Sequence, residues 1–167
     1  MRDAFGGVFM FRLMLVFIVI YVAFTAISFK YAKSFRVKNS VIDFVEINQI
    51  IDIGKFFNGG NGEKMAAFDN ILNAAEYDIN CESIGQKEGA IIDKDKKETI
   101  GYCHNGVIIL KNSQKTTDKT IYYNVYTYVN WELGELNTIL MLGGKNRDSE
   151  DVISGRWSIT GEAVVAH

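Results

Sequence analysis

The feature that most constrains this chain is an apolar run near its N-terminus, Leu13–Phe29, which contains 17 consecutive residues without a charge. At about 1.5 Å of rise per residue, a helix of this length spans roughly 26 Å, close to the thickness of the hydrocarbon core of a bilayer. Arg12, Lys30 and Lys33 flank the run, where long basic side chains can reach lipid head groups. We therefore predict a single membrane-spanning helix over residues 8–30.

A cleavable secretory signal is the alternative for this run. Arg2 and Arg12 resemble the basic start of such a signal, and the sequence Ala26–Ser28 resembles a small-x-small cleavage site. The apolar core of a signal is usually about 7–15 residues long, which is shorter than the run found here. The length favours an uncleaved anchor, with residues 1–7 as a short N-terminal segment.

The helix is expected to continue beyond the membrane. No proline or glycine interrupts residues 31–53, so we predict an amphipathic extension over these residues that ends at Gly54. Glu46 is expected on the outer, solvent-exposed face. The apolar residues of the other face are expected to form a seam with a sheet: Val41, Phe44, Val45 and Ile51.

The remaining residues, 54–167, predict a small α+β domain. The spacing of apolar residues over Glu63–Tyr77 favours a short second helix, and residues 78–102 look polar and irregular. Beyond Gly106 the period changes to two, which is typical of strands. We predict four strands in an antiparallel meander packed on the long helix: Val107–Leu110, Lys119–Trp131, Thr138–Leu142 and Trp157–Val165.

The second of these strands has two different faces. The residues of odd number between Ile121 and Trp131 are mostly apolar and are expected in the core. The opposite face carries Tyr122, Tyr126 and Tyr128, which suit a half-exposed sheet surface. Ordinary packing explains the tyrosines, and a binding face is the alternative.

Charge and cysteine content limit the class of function. Residues 54–167 hold 12 lysines and arginines against 16 acidic residues, so no nucleic-acid partner is expected, because phosphate contacts need clustered basic residues. Cys81 and Cys103 are the only cysteines. They are expected to form a disulfide that clamps the irregular segment, with two unrelated buried thiols as the alternative.

No motif predicts catalysis, a cofactor or a metal ion. Gly143-Gly144-Lys145 lacks the rest of a phosphate-binding loop, and the acidic group around Asp148 lacks the pattern of a calcium-binding loop. His104 beside Cys103 is too little for a nucleophile and its base. We therefore predict a protein that is not an enzyme.

Two stretches carry a resemblance to a known family: FRLMLVFIVIYVAFTAISFKYAKSFRV over Phe11–Val37 and WSITGEAVV over Trp157–Val165. With the predicted layout, they resemble type IV pilins, and within them the TadE-like minor pseudopilins of tight-adherence systems. In that family a peptidase often cuts after a glycine, here Gly6 or Gly7, and a glutamate follows five residues later. Phe11 or Arg12 stands at that position instead, and Arg12 is expected to reach lipid phosphates or an acidic group of a neighbouring subunit.

The resemblance implies a structural or assembly protein of a pilus, tight-adherence or secretion apparatus. Its expected partners are the lipid bilayer and other membrane or pilin-like subunits, including copies of itself. It also implies a cell-membrane location with residues 54–167 outside the cytoplasm, and the cysteine pair agrees. The basic residues that follow the apolar run argue for the opposite orientation. The alternative function is a single-pass sensor or a module that binds a ligand or partner outside the cell.

Overall fold

The structure of the protein is a computed structural model, which describes residues 2–58, 62–93, 98–132 and 154–166. These residues form three α-helices and five strands: α1 (Arg2–Ile47), α2 (Ile53–Asn58), α3 (Gly62–Ala74), β1 (Gly89–Ile92), β2 (Thr99–His104), β3 (Val107–Lys111), β4 (Thr120–Glu132) and β5 (Ser154–Ala166). The predicted α+β class is confirmed: a long apolar N-terminal helix packs against an antiparallel sheet, a layout consistent with a pilin-like fold.

The described residues fall into two compact units. The first contains residues 2–31, 130–132 and 154–156, and we call residues 2–31 of α1 the stem. The second contains residues 32–129 and 157–166, and we call it the head. The head therefore includes the C-terminal part of α1 as well as α2, α3 and most of the sheet.

Helix α1 begins earlier than predicted, at Arg2 instead of Val8, and it includes Gly6 and Gly7. A glycine inside a helix costs only about 1 kcal/mol relative to alanine and keeps its backbone hydrogen bonds. The two glycines therefore do not stop the helix, and the predicted separate segment over residues 1–7 is wrong from Arg2 onward.

The other end of α1 is also different, because the helix stops at Ile47 and not at Gly54. Gln49 adopts a left-handed conformation with φ of 46°. The Gln49 N–H donates to Glu46 O (3.1 Å), and the Ile50 N–H donates to Val45 O (3.2 Å). These two bonds form a Schellman motif, which satisfies the last carbonyl groups of the helix and places Ile50 in the core.

Residues beyond this turn start a new helix. The carboxylate of Asp52 accepts a hydrogen bond from the Lys55 N–H (3.1 Å) and caps the N-terminus of α2. Gly54 lies inside α2, where a Cβ would come 3.1 Å from the Thr99 methyl group. Ile51 lies between the two helices with 45% of its surface exposed, so it does not belong to the seam predicted for it.

Helix α3 agrees with the predicted second helix, although it ends at Ala74. Phe68 and Leu72 are its buried residues. A second Schellman motif ends this helix, because Glu76 is left-handed and the Tyr77 N–H donates to Leu72 O (3.0 Å). The turn brings Tyr77 toward the sheet.

The five strands lie side by side in chain order, β1-β2-β3-β4-β5. The β1–β2, β2–β3 and β3–β4 pairs are antiparallel, so the predicted antiparallel sheet is confirmed. The predicted order of four strands is not, because β1 and β2 were not expected and β5 is the direct neighbour of β4, a place that the prediction gave to another strand. The segment 78–102 was expected to be irregular, but among its described residues are a 3₁₀ turn at Glu82–Ile84, strand β1 and the first part of β2. The predicted strand Thr138–Leu142 lies outside the described residues, as do Gly143-Gly144-Lys145 and the acidic group around Asp148.

The two faces of the sheet are covered differently. One face packs against α1 and α3 and forms the main core, to which β4 contributes Ile121, Tyr123 and Val125. The other face carries a smaller cluster around the cysteine pair and Ile108. The predicted alternation along β4 is confirmed, since its odd-numbered residues from 121 to 129 are buried and its even-numbered ones are half-buried.

Candidate functional site in the N-terminal helix

The stem presents large apolar side chains to its surroundings. Val8 and Phe29, near its two ends, are 68% and 73% exposed. Thr25 and Ser28 donate their hydroxyl protons to carbonyl groups four residues earlier, both at 2.8 Å, so their polar groups are satisfied within the helix. By its length and apolar composition, α1 is a candidate membrane span.

The basic residues predicted to flank the membrane lie in different environments. Arg12 and Lys30 are exposed on the stem. Lys33 belongs to the head and forms an ion pair with Glu76 (3.3 Å) in the turn after α3. This pair therefore joins the head part of α1 to the turn after α3.

Three of the four predicted seam residues are buried: Val41, Phe44 and Val45. Val37, one turn earlier, is buried with them, and together they contact the apolar face of the sheet. Phe44 also meets the rings of Phe56 and Phe68 edge-on, with centroids 5.8 and 5.5 Å away. The head part of α1 is thus one wall of the core.

A polar contact joins α1 to β4 where the seam begins. The Ser34 hydroxyl donates to Tyr128 O (2.8 Å), and the Thr127 hydroxyl donates to Ser34 O (3.1 Å). Ser34 and Thr127 are both buried. Since buried polar groups are stable only when they are paired, this reciprocal pair fixes how far α1 can slide along β4.

The Tyr77 hydroxyl also lies at this contact, next to the backbone of Tyr128 in β4. It accepts a hydrogen bond from the Tyr128 N–H (2.8 Å) and lies within donor distance of the carbonyl oxygens of Tyr128 (3.2 Å) and Gly106 (3.3 Å). The described pairing of β3 with β4 ends at Tyr126, and two residues later the Tyr128 N–H donates to a side chain, the Tyr77 hydroxyl. Burial raises the pKa of Tyr77 to about 12.

Glu46 has a role that the sequence did not reveal. It was expected to face solvent, yet its carboxylate accepts a hydrogen bond from the Val164 N–H (2.9 Å). Val164 lies in β5, which is the last strand of the sheet. Glu46 therefore pairs one backbone group of an edge strand that has no neighbouring strand on that side among the described residues.

The predicted disulfide is confirmed, because Cys81 and Cys103 are bonded to each other and buried. Tyr126 and Tyr128 pack against this cluster from β4. The tyrosine face is thus partly covered by the residues around the disulfide, which supports the packing interpretation. A separate binding function is not needed to explain these side chains.

His104 lies between two carboxylates and not beside a nucleophile. Its Nε2 is 2.7 Å from Asp69 of α3, and its Nδ1 is 2.6 Å from Glu88 before β1. The Asn105 N–H also donates to Glu88 (3.1 Å). The group ties α3 to the β2–β3 hairpin, and among the described residues the hydrogen-bond and ring partners of His104 include no serine, threonine or cysteine for it to activate.

The head also has an open cleft of about 1110 Å³ beside the α1–α2 connection. Apolar residues such as Ile53 and Ile121 line it, and charged residues of both signs, among them Glu98 and Lys111, stand around it. The Tyr123 hydroxyl donates to Ile51 O (2.7 Å) at its wall. Burial and, to a smaller extent, the negative charge of Asp52 raise the pKa of Tyr123 to about 12.

Most of the contacts described above join the elements of the head to one another. In the part of the chain that the structure describes, no group of three His, Cys, Asp or Glu side chains could hold a metal ion. No family model, curated protein or solved structure matches the chain. The exposed apolar stem and the buried seam, both in α1, make this helix the candidate functional site.

Proposed function

We propose that this chain is a non-enzymatic, membrane-anchored structural or assembly protein. Its role would be similar to that of a pilin-like minor subunit of a type IV pilus, tight-adherence or secretion apparatus. One observation carries the proposal: a single helix has large exposed apolar residues in its stem and a buried apolar stripe in the head. Such a helix links a lipid-embedded part directly to the core of a folded part.

The stem would cross the cell membrane once, with the head outside the cytoplasm. The buried Cys81–Cys103 disulfide supports this orientation, because disulfides persist in oxidising compartments. The basic residues that follow the stem argue against this orientation less strongly than their number suggests. Lys33 is paired with Glu76 and Lys38 is buried, so both are already used by the head.

The partners would be the lipid bilayer and other membrane or pilin-like subunits. The exposed side chains of the stem are apolar over most of its length, and lipid tails or neighbouring helices are the surroundings in which such a surface is stable. The acidic balance of residues 54–167 again disfavours nucleic acid.

Membrane extraction and cysteine labelling test the anchor and its orientation. The full-length chain is expected to stay in the membrane pellet at alkaline pH, whereas a variant with Val19→Lys and Ala23→Lys in the stem should be released. A cysteine placed at exposed Ser113 should react with a membrane-impermeant maleimide in intact cells, and one placed at Ala4 should react only after lysis. Labelling in the reverse order would overturn the orientation, and release of the unmodified chain would overturn the anchor.

The cleft favours a second candidate, a single-pass sensor or ligand-binding module. A cleft of this size with apolar walls and a few charged groups is a common form of small-molecule site. Under this alternative, Lys111→Glu would abolish a ligand-induced rise in the melting temperature and leave self-association unchanged. Under the assembly proposal, the same variant would leave both unchanged.

A further inference from the structure

Lys38 carries a positive charge into the head and has no acidic partner among the described residues. Only 9% of its surface is exposed. It forms no ion pair and no hydrogen bond there, whereas Lys33 and Lys115 each pair with a glutamate. A buried charge without a partner is costly, so an anion bound to the ammonium group of Lys38 would stabilise the head.

Two neighbours hold the Lys38 side chain in place. Its aliphatic part passes Gly161 of β5, where a Cβ would lie 2.9 Å from Lys38 Cδ and 3.2 Å from Lys38 Cε. Its ammonium nitrogen lies 4.2 Å from the centre of the Phe35 ring, about one turn earlier in α1. The nitrogen itself is not sealed from solvent, because the fully buried and unpaired side-chain nitrogen and oxygen atoms of the described residues do not include it. The methylene chain is therefore buried, and the charge at its end can be reached.

The level of this ammonium group along α1 is close to the head-group layer of a membrane. The predicted membrane span ends at Lys30, and Phe35 follows five residues later, about 7.5 Å farther along a helix. A bilayer is about 30 Å thick without its head groups and about 40–45 Å thick with them, so each head-group layer is about 5–7.5 Å deep. Helix side chains lean toward the N-terminus, and the Lys38 nitrogen accordingly lies beside the Phe35 ring. The anions at this level are the phosphate groups of lipids.

We propose that Lys38 binds the phosphate group of an anionic membrane lipid. The ammonium group donates a charge-assisted hydrogen bond to a phosphate oxygen, and the cation–π contact with Phe35 keeps the group in position. The proposal rests on the proposed function, because the anchored stem is what brings Lys38 to the lipid. It adds a specific lipid site in the head to the general contact between the stem and lipid tails.

Thermal melting of the full-length chain in two kinds of micelle tests the lipid site. Phosphatidylglycerol in an uncharged detergent should raise the melting temperature above the value with phosphatidylcholine, whose choline group already neutralises its phosphate. Native mass spectrometry should show phosphatidylglycerol retained on the chain in preference to phosphatidylcholine. Inorganic phosphate at the same concentration should give no rise, because nothing holds it at the level of Lys38. Equal stabilisation by the two lipids, or by inorganic phosphate, would overturn the proposal.

Substitution of Lys38 tests the residue itself. Lys38→Met removes the charge and keeps an unbranched side chain, so without phosphatidylglycerol it should melt at the same temperature as the unmodified protein or higher. Its affinity for phosphatidylglycerol should fall about tenfold or more, which is the loss of one hydrogen bond to a charged group. Lys38→Arg keeps the charge and should keep most of the affinity. A Lys38→Met chain that binds the lipid as well as the unmodified protein, or that does not fold, would overturn the proposal.

Arg36→Gln is the matched control for general charge attraction. Arg36 is exposed and lies only two residues from Lys38, which places it on nearly the opposite side of the helix. Loss of its charge should change the affinity for phosphatidylglycerol about twofold or less. An equal loss in Arg36→Gln and Lys38→Met would show that net charge attracts the lipid, and the site at Lys38 would be refuted.

Membrane extraction of the unmodified chain separates this inference from the function on which it rests. If the chain stays in the membrane pellet at alkaline pH and phosphatidylglycerol has no effect on its melting, the lipid site is wrong and the anchor stands. If the chain is released from the membrane, the anchor is wrong, and the lipid site falls with it.

Discussion

Replacing Tyr77 by phenylalanine is expected to destabilise the head by a measurable and specific amount. The change keeps the ring and removes one oxygen atom, so the apolar packing of the side chain is conserved. The oxygen accepts a hydrogen bond from the Tyr128 N–H at 2.8 Å and lies 3.2 Å from Tyr128 O. The variant thus removes a link between the turn after α3 and strand β4.

The expected size follows from what the hydroxyl satisfies. Loss of the partner of a buried N–H costs about 1–3 kcal/mol, because that group has no water to replace the bond. The Ser34 hydroxyl still donates to Tyr128 O (2.8 Å), so the carbonyl remains satisfied and a loss near the middle of this range is expected. For a domain of this size, such a loss lowers the melting temperature by roughly 5–12 °C.

Thermal unfolding of the full-length chain, followed by circular dichroism in detergent, measures this loss. Tyr126→Phe is the matched control, since Tyr126 lies in the same strand, is half-buried and has no side-chain hydrogen bond in the described structure. Its melting temperature should stay close to that of the unmodified protein. Equal losses in the two variants would refute the assignment of the Tyr77 hydroxyl to the β4 backbone.

The same residue gives a prediction for alkaline solution. Burial raises the pKa of Tyr77 from 10.0 to about 12, so the folded head favours the neutral hydroxyl. The corresponding stability is complete below pH 10 and is lost as the pH rises toward about 12. Denaturant unfolding at both ends of this range should show a larger loss for the unmodified protein than for Tyr77→Phe. An identical loss in both would show that Tyr77 does not titrate as its burial requires.

Other substitutions test the remaining contacts. Replacing Cys81 and Cys103 by alanine should lower the free energy of unfolding by about 3 kcal/mol, from the entropy of the closed loop, and an unchanged denaturant midpoint would contradict this. Glu46→Lys should cost about 1 kcal/mol by removing the acceptor of the Val164 N–H, whereas Glu46→Gln keeps an acceptor; equal melting temperatures would argue against the bond. Phe44→Asp should prevent folding, because an unpaired charge in the seam costs several kcal/mol, on the order of the whole stability. A cooperative melt near that of the unmodified protein would refute it.

The elements that could be predicted are those whose signal is local and periodic. The apolar run of the stem and the alternation of β4 have one period over many residues, so each indicates its structure directly. The disulfide was favoured over two separate thiols because the segment between the only two cysteines looked like a loop that a bond would clamp. The α+β class then followed from combining a helix that has one apolar face with a sheet that needs cover.

The misplaced elements depended on contacts that the sequence does not display. The turn after α1 uses Gln49 in a left-handed conformation, where glycine is the usual sign of a helix end. The start of α2 after Asp52 could have been predicted, since an aspartate before a helix is a common N-cap. Strand β1 has only four residues, too few for a periodic pattern. The bond between Glu46 and Val164 joins residues 118 positions apart, and no local pattern indicates it.

The order of synthesis delays the contacts that cover the seam of α1. The bonds from Ser34 to β4 and from Glu46 to β5 join residues 94 and 118 positions apart. The disulfide, in contrast, closes over a separation of 22. At a synthesis rate of about 5–20 residues per second, β5 emerges roughly 6–24 s after α1. During this interval the apolar half of α1 has no sheet to cover it, and unprotected apolar surface in nascent chains aggregates. The nascent chain is therefore expected to need cover along this half of the helix until the last strand arrives.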